Sequence, residues 1–522
     1  MVTINPGEEF TMTMIATGVT TGYDELIRRA REASLLHGTI AILGWDQEVM
    51  MPKGGVEYRA QQLEQLARMH HEMATDPRIG ELLAMCEEDA DVMGDPISAS
   101  AVNVRELRHT YDRNTRLPAE LVAEEARLAS VGQHTWAEAR KTGDFEMFRP
   151  TLEKIVNLLR RKSDCYGWEK GGEPWDALAE DYEPGCTAKD VESVFTPLRK
   201  RLQGFLDELM GSSTAPSNAF NELALPIEQQ EKFVRFVAEE IGFDFTCGRL
   251  DRSTHPFCSG SHCNDTRLTT RFHESNVNDA LGSTMHEAGH GMYEQGLLEK
   301  HIGTPMGMFV SLGIHESQSR MWENQVGRSR AFWEWCAPKL GDFFGDRTKS
   351  LSLEDVYGGA NIVKPDFIRV EADEATYNMH IMIRFEIERA VMKGNLDVAD
   401  IPAMWNEKYR DYLSLEVPNN AKGCLQDIHW SMGSMGYFPT YTLGNLYAAQ
   451  FFEKALEDHG DLYDQFRAGE FGTLKTWLNQ NIHWPGRRYR AAELCEVVTG
   501  KALSSDPLMR HLEGKLRPLY GI

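Results

Sequence analysis

The chain has 522 residues, 42% apolar and 26% charged, an ordinary composition for a soluble globular protein with a large core. Its formal net charge of -24 argues against nucleic acid and anionic membranes as main partners. No stretch reaches the roughly 18 consecutive apolar residues that a membrane span requires. Nine cysteines, at 86, 165, 186, 247, 258, 263, 336, 424 and 495, are odd in number and scattered, which favours a reducing compartment. The N-terminus has no basic residue before Arg28 and no long apolar run, so it reads as neither a secretory signal nor a transit peptide. Leu519-Tyr520-Gly521-Ile522 matches no sorting tail, and the cytoplasm is the expected location.

Length admits roughly two to four domains. Residues 1–22 read as an N-terminal extension and 23–522 as a single helical domain, with a candidate lobe boundary near 211–226. From Tyr23, Leu26, Ala30, Ala33 and Ile40 recur at helical spacing, until Pro52 and Gly54-Gly55 break the pattern. Spans 56–75, 98–112, 117–142 and 146–170 read as further helices, without a fixed-period repeat. Gly211 to Asn218 is the linker candidate. Pro226 opens a helix with Phe233, Val237 and Ile241 on one face and Gly242 at its end. A hairpin is expected at 253–273, its strands 253–258 and 266–272 joined by a Ser/Gly/Asn turn. Beyond it the pattern is helical again, apart from loops around 417–445. The expected fold is predominantly α: large, helical and cleft-bearing, with one small sheet beside the site.

The stretch Ser283 to His290 contains H-E-x-x-H. On a helix this spacing puts His286 and His290 one turn apart on one face, where both imidazoles reach a single metal ion. Glu287 beside them is placed to take a proton from water. Asn276 and Asn278 are N-cap candidates, Asp279 suits the first turn, and Gly296 is a plausible stop. Leu281, Met285, Ala288 and Met292 share the opposite, apolar face.

A catalytic zinc needs a third protein ligand and an open fourth position. The extended motif with a third histidine fails, because Tyr293 and Gly296 stand where its glycine and histidine belong. Glu294, two turns from His286, cannot curl back to the ion. Gly313 to Arg320 is the better source. Glu316 lies 26 residues after His290, enough to finish a helix, turn and return. It is preferred over His315 or a remote ligand, with Arg320 and Glu323 as outer supports. Cys258 and Cys263 with His255, His262 and His273 are the only rival cluster, but no second cysteine pair follows, and no second metal is expected. Met285, Met292, Trp322, Trp333 and Trp335 read as core rather than as a cofactor pocket.

HEAGH followed by HESQS, with Asp265-Thr266-Arg267-Leu268-Thr269 and His255-Pro256-Phe257 before them, resembles the carboxypeptidase Taq family of metallocarboxypeptidases. Ile368-Arg369-Val370-Glu371-Ala372-Asp373 and Gly423-Cys424-Leu425-Gln426-Asp427-Ile428-His429-Trp430 resemble two further family signatures, I-R-x-x-A-D and G-x-x-Q-D-x-H-W. Trp45-Asp46-Gln47 and the stretch Gly436 to Tyr441 also fit. The resemblance runs from about residue 23 to the C-terminus. It implies that His286, His290 and Glu316 hold one divalent metal, zinc with cobalt as a substitute, and that Glu287 is the general base. It further implies a homodimer and broad specificity with reluctance toward C-terminal proline.

Removing C-terminal residues requires a cation for the free α-carboxylate, and a guanidinium suits it best. Arg267 and Arg369 are the candidates; the alternative for either is a structural ion pair, such as Arg369 with Asp373. His429 is a candidate donor to the developing oxyanion, with Tyr437 or Tyr441 as a second. We assign Tyr441 to catalysis and Tyr437 to substrate binding. The expected activity is removal of single amino acids from peptides with a free C-terminus. The rivals are an HExxH oligoendopeptidase and a helical peptide-binding protein with a dead site.

Overall fold

Thr21 and Asp24 cap each other: the threonine hydroxyl accepts the Asp24 N–H and the Asp24 carboxylate accepts the Thr21 N–H. The first helix, α1, therefore starts at Gly22 and runs to Val49. In this computed structural model the described residues are 21–522, so the expected extension 1–22 lies outside them apart from its last two residues. Helices Val56–Ala74, Ala99–Arg116, Ala119–Thr142 and Phe145–Tyr166 fall close to the four expected spans. Two others, Pro77–Glu87 and Ala188–Gly211, occupy stretches to which the sequence reading gives no helix. Their signals were present: Asp76 caps with Pro77 at the first position, and Thr187 forms a capping box with Asp190.

Leu26, Ile79, Leu82, Leu83 and Val104 form a small core among the first helices. From Leu121 to Tyr520 the molecule shares one continuous core. Phe220 and Leu225, in the irregular stretch before the helix Ile227–Glu240, are buried in it, so apolar packing runs unbroken through the candidate boundary. Met285, Met292, Trp322, Trp333 and Trp335 are buried as well. All nine cysteines are free, and among the described residues no helix is long and apolar enough to cross a membrane.

The sheet has three strands rather than the expected two. β1 (Gly248–Arg252) pairs in parallel with β3 (Asp265–Thr270), which pairs antiparallel with β2 (Phe257–His262). The turn is Cys263-Asn264; Ser259-Gly260-Ser261, expected as turn, lies within β2. A bulge between Gly260 and His262 absorbs these small residues without ending the strand. Four later helices build the site: α2 (Val277–Gly296), α3 (Leu312–Arg320), α4 (Tyr377–Lys393) and α5 (Pro439–Asp458). The loop expected at 417–445 ends at Phe438, because Pro439 in a first-turn position opens α5.

Asn276 precedes α2 as expected but does not cap it. It sits in the left-handed region at φ 65 with no side-chain cap bond, and its N–H donates to Asn221 O at 2.9 Å. Asn278 donates to the Asn221 side chain at 2.6 Å, so a tether to the neighbouring loop replaces the cap. Asp279, in the first turn, takes a bidentate pair from Arg271, both bonds at 2.9 Å.

Candidate metal centre

Leu281, Met285, Ala288 and Met292 are buried on the apolar back of α2. That fixes its rotation and turns His286 and His290 to the other side, their ring centroids 4.9 Å apart. Helix α3 passes alongside and delivers Glu316. Its Oε2 is 3.7 Å from His286 Nε2 and 3.5 Å from His290 Nε2. The three residues offer ligand atoms within 4.8 Å of one another. Tetrahedral bonds of about 2.0–2.1 Å place ligand atoms roughly 3.3–3.5 Å apart, so two imidazoles and a carboxylate fit one zinc-sized ion.

Two glycines let α3 approach this closely. A Cβ on Gly289 of α2 would stand 2.6 Å from Gln318 O and Ser319 Cα. A Cβ on Gly444 of α5 would stand 2.6 Å from Glu316 Cβ. Helix α3 is thus wedged between two side-chain-free surfaces. Its N-terminus is tied by Glu183, which accepts from Gly313 N at 2.8 Å and from the Ser311 hydroxyl at 3.0 Å. Glu183 is buried, lies 130 residues upstream in sequence, and is invisible to any local motif.

Each of the three side chains is held from behind by a further polar group. His286 Nδ1 meets Glu323 Oε2 at 2.8 Å, and Arg320 donates to Glu316 Oε1 at 2.7 Å and to Glu323 Oε2 at 3.2 Å. Glu323 reaches the histidine from a π-helical turn, Met321–Val326, that continues α3 with a changed register. His290 Nδ1 faces His315 Nδ1 at 2.5 Å, and His315 Nε2 faces Glu294 at 2.8 Å. His315, the rival ligand, thus approaches the edge of His290 that faces away from Glu316.

Charge and burial oppose each other here. Burial pushes Glu316 up, but the Arg320 guanidinium and the two imidazoles outweigh it and hold the carboxyl well below its usual range. Burial also raises Glu323, and Arg320 with His286 brings it down to about 2. Burial lowers His286 less than Glu316 and Glu323 raise it, whereas burial and His315 take His290 down to about 3. Glu287 has no guanidinium partner, and burial takes its carboxyl up to about 7.

A cleft of about 570 Å³ opens over His286 and Glu287, with Glu323, Arg369, Tyr377 and Tyr441 also in its walls. Among the described residues, His290, Glu316, Arg267, His429 and Tyr437 are not part of its lining, so the two deeper ligand candidates lie behind His286. For Arg267 the geometry matches the ion-pair alternative. Its guanidinium is engaged bidentately by Asp265, on the same strand, at 2.9 and 3.1 Å and lies 4.5 Å from the Trp45 ring centre. Arg369 does reach the cleft, but its ion pair is with Asp427, through Nε at 2.9 Å and Nη2 at 2.8 Å, and not with Asp373. Asp373 instead accepts backbone N–H groups of Lys364, Ala375 and Thr376. Arg384 of α4, unremarked in the sequence, bonds the other Asp427 oxygen at 2.7 Å. Two guanidiniums on one carboxylate leave one net positive charge beside the cleft. His429 stands behind Tyr441, its Nε2 at 3.3 Å from the hydroxyl; burial and Arg369 take it down to about 4, so it is neutral at pH 7. Tyr437 packs on both, 5.2 Å from the His429 ring and 5.3 Å from that of Tyr441.

A family model described as carboxypeptidase Taq (M32) metallopeptidase matches residues 25–516. The chain belongs to this family. It is 43% identical over 506 residues to thermostable carboxypeptidase 1 of Thermus thermophilus, covering 96% of this chain and 99% of that one. It is 36% identical to carboxypeptidase 1 of Bacillus subtilis over 92% of this chain and 95% of the other. The crystal structure of the M32 carboxypeptidase from Deinococcus radiodurans superposes with a TM-score of 0.92 at 37% identity, covering 96% and 100% of the two chains. The resemblance read from the motifs is upheld, and the protein is a metal-dependent carboxypeptidase with a helical fold and one small sheet.

Proposed function

We propose that the cleft removes single amino acids from peptides with a free C-terminus, using His286, His290 and Glu316 to hold one divalent ion, zinc with cobalt as a substitute. The observation that carries this reading is the convergence of two imidazoles and one carboxylate, one of which, His286, lines the cleft with Glu287. A divalent ion bound there supplies Lewis acidity, polarising the scissile carbonyl and acidifying water. Glu287 takes the proton of the attacking water and hands it to the leaving amine. Arg369 binds the substrate α-carboxylate; the surplus positive charge it shares with Arg384 and Asp427 is what an anion requires there. Tyr441 donates its hydroxyl to the developing oxyanion, oriented from behind by neutral His429, while Tyr437 supports the substrate wall. Arg267, paired with Asp265 on the central strand β3, is left out of substrate binding in this reading.

Residues 23–522 are read as one catalytic domain, supported by the core that runs through 211–226. The nine free cysteines favour a reducing compartment, the cytoplasm. The family resemblance supports a homodimer, broad specificity and slow release of C-terminal proline.

The decisive experiment is metal analysis of the purified protein together with mass spectrometry of products from one peptide in free and amidated forms. Stepwise loss of residues from the free peptide alone is expected. Equal cleavage of both forms would overturn the exopeptidase reading.

A further inference from the structure

The two histidines of the centre are supported differently. His286 meets a carboxylate directly through Nδ1, whereas His290 meets another imidazole, which in turn meets a carboxylate. We propose that His315 and Glu294 form a hydrogen-bond relay that fixes the tautomer and direction of His290 and thereby sets the affinity of the ion site. This rests on the metal-site reading above.

The proton positions follow from the geometry. His290 turns Nε2 toward Glu316, so as a neutral ligand it carries its hydrogen on Nδ1. That N–H faces His315 Nδ1 and must donate to it, which places the His315 hydrogen on Nε2, pointing at Glu294 Oε1. Every donor in the chain has an acceptor, and only one tautomer of each ring satisfies it. Packing holds the middle member: the His315 ring lies 4.8 Å from Phe309 edge-on and 5.2 Å from Tyr293. Glu294 is the solvent-side end, its side chain 31% exposed against 14% for His315. A charged acceptor at that end strengthens both bonds inward and raises the electron density that His290 presents to an ion. Glu294 and His315, set aside and passed over as ligands, thus both serve the ligand that they flank.

Two replacements of His315 separate this relay from mere packing. H315N keeps an acceptor oxygen near the Nδ1 position but removes the ring; H315F keeps the ring and removes the acceptor. Zinc affinity is measured by chelator competition, and the cobalt-loaded forms by their visible d–d absorption, with circular dichroism of the metal-free proteins as the folding control. H315F is expected to bind zinc about 10–100-fold more weakly with an altered cobalt spectrum, and H315N to stay within about fivefold of the parent. E294L, at a half-exposed position that does not endanger folding, is expected to weaken zinc by about tenfold. Tight binding by both H315F and E294L, or equal loss in H315N and H315F, would overturn the relay. A parent protein that binds neither zinc nor cobalt would overturn the metal-site reading itself.

Discussion

Gly444 faces Glu316 so closely that a Cβ there would stand 2.5 Å from the Glu316 Cγ. A glycine on α5 therefore sets the depth at which α3 lies, and with it the reach of Glu316 toward His286 and His290. Gly444→Ala should push α3 outward at an overpacking cost of about 1–3 kcal/mol, and weaken zinc binding. Gly514→Ala, on an open helix surface, is the control; relieving the helix of a glycine should stabilise it by up to about 1 kcal/mol. Thermal unfolding with and without zinc reads both.

Glu287 is the one buried acid of the centre without a guanidinium partner, and it accepts no hydrogen bond from the residues that hold the ligands. Glu287→Gln keeps its shape and removes its basicity. Turnover should fall by at least about 10²–10⁴-fold, with zinc affinity close to that of the parent. Loss of zinc in this variant would instead assign Glu287 a structural part.

Arg369 and Arg384 share Asp427, so removing one guanidinium leaves that carboxylate still paired. Arg369→Gln should then fold and bind zinc. Its preference for a free over an amidated C-terminus should drop by roughly 10–100-fold, the worth of a charged hydrogen bond of about 1.5–3 kcal/mol. An unchanged preference would move the carboxylate site to another cation of the cleft.

Glu183 ties down α3, and burial takes its carboxyl up to about 7 from an ordinary 4.5. Because the folded value lies above the unfolded one, the folded state holds an extra proton between them. This group's contribution to stability is complete below about pH 4.5 and is lost as the pH rises through about 7. At 1.36 kcal/mol per unit the loss amounts to about 3 kcal/mol. Glu183→Gln, which cannot ionise, should show a flatter fall in Tm across that window than the parent. Parallel Tm profiles of the two proteins would contradict this.

By itself the sequence determined the metal helix, its two histidines and Glu287, because an i, i+4 pair opposite an apolar stripe depends only on helix geometry. The 26-residue gap to Glu316 leaves room for a return helix, but by itself it does not choose Glu316 over His315 or a remote ligand. Sequence alone did not reveal β1, whose parallel partner is β3 rather than an adjoining strand, or that Ser259-Gly260-Ser261 belongs to a strand instead of a turn. Only the tertiary structure decided which of the two arginines lines the cleft: Arg267 and Arg369 carry the same side chain, but Trp45 and Asp265 hold the first outside it, while the second, with Asp427 and Arg384 behind it, stands in its wall. Glu183, Gly444 and the His315–Glu294 pair belong to the same class. Their effect comes from contact across long stretches of chain, and distance in space leaves no periodicity for a sequence to show.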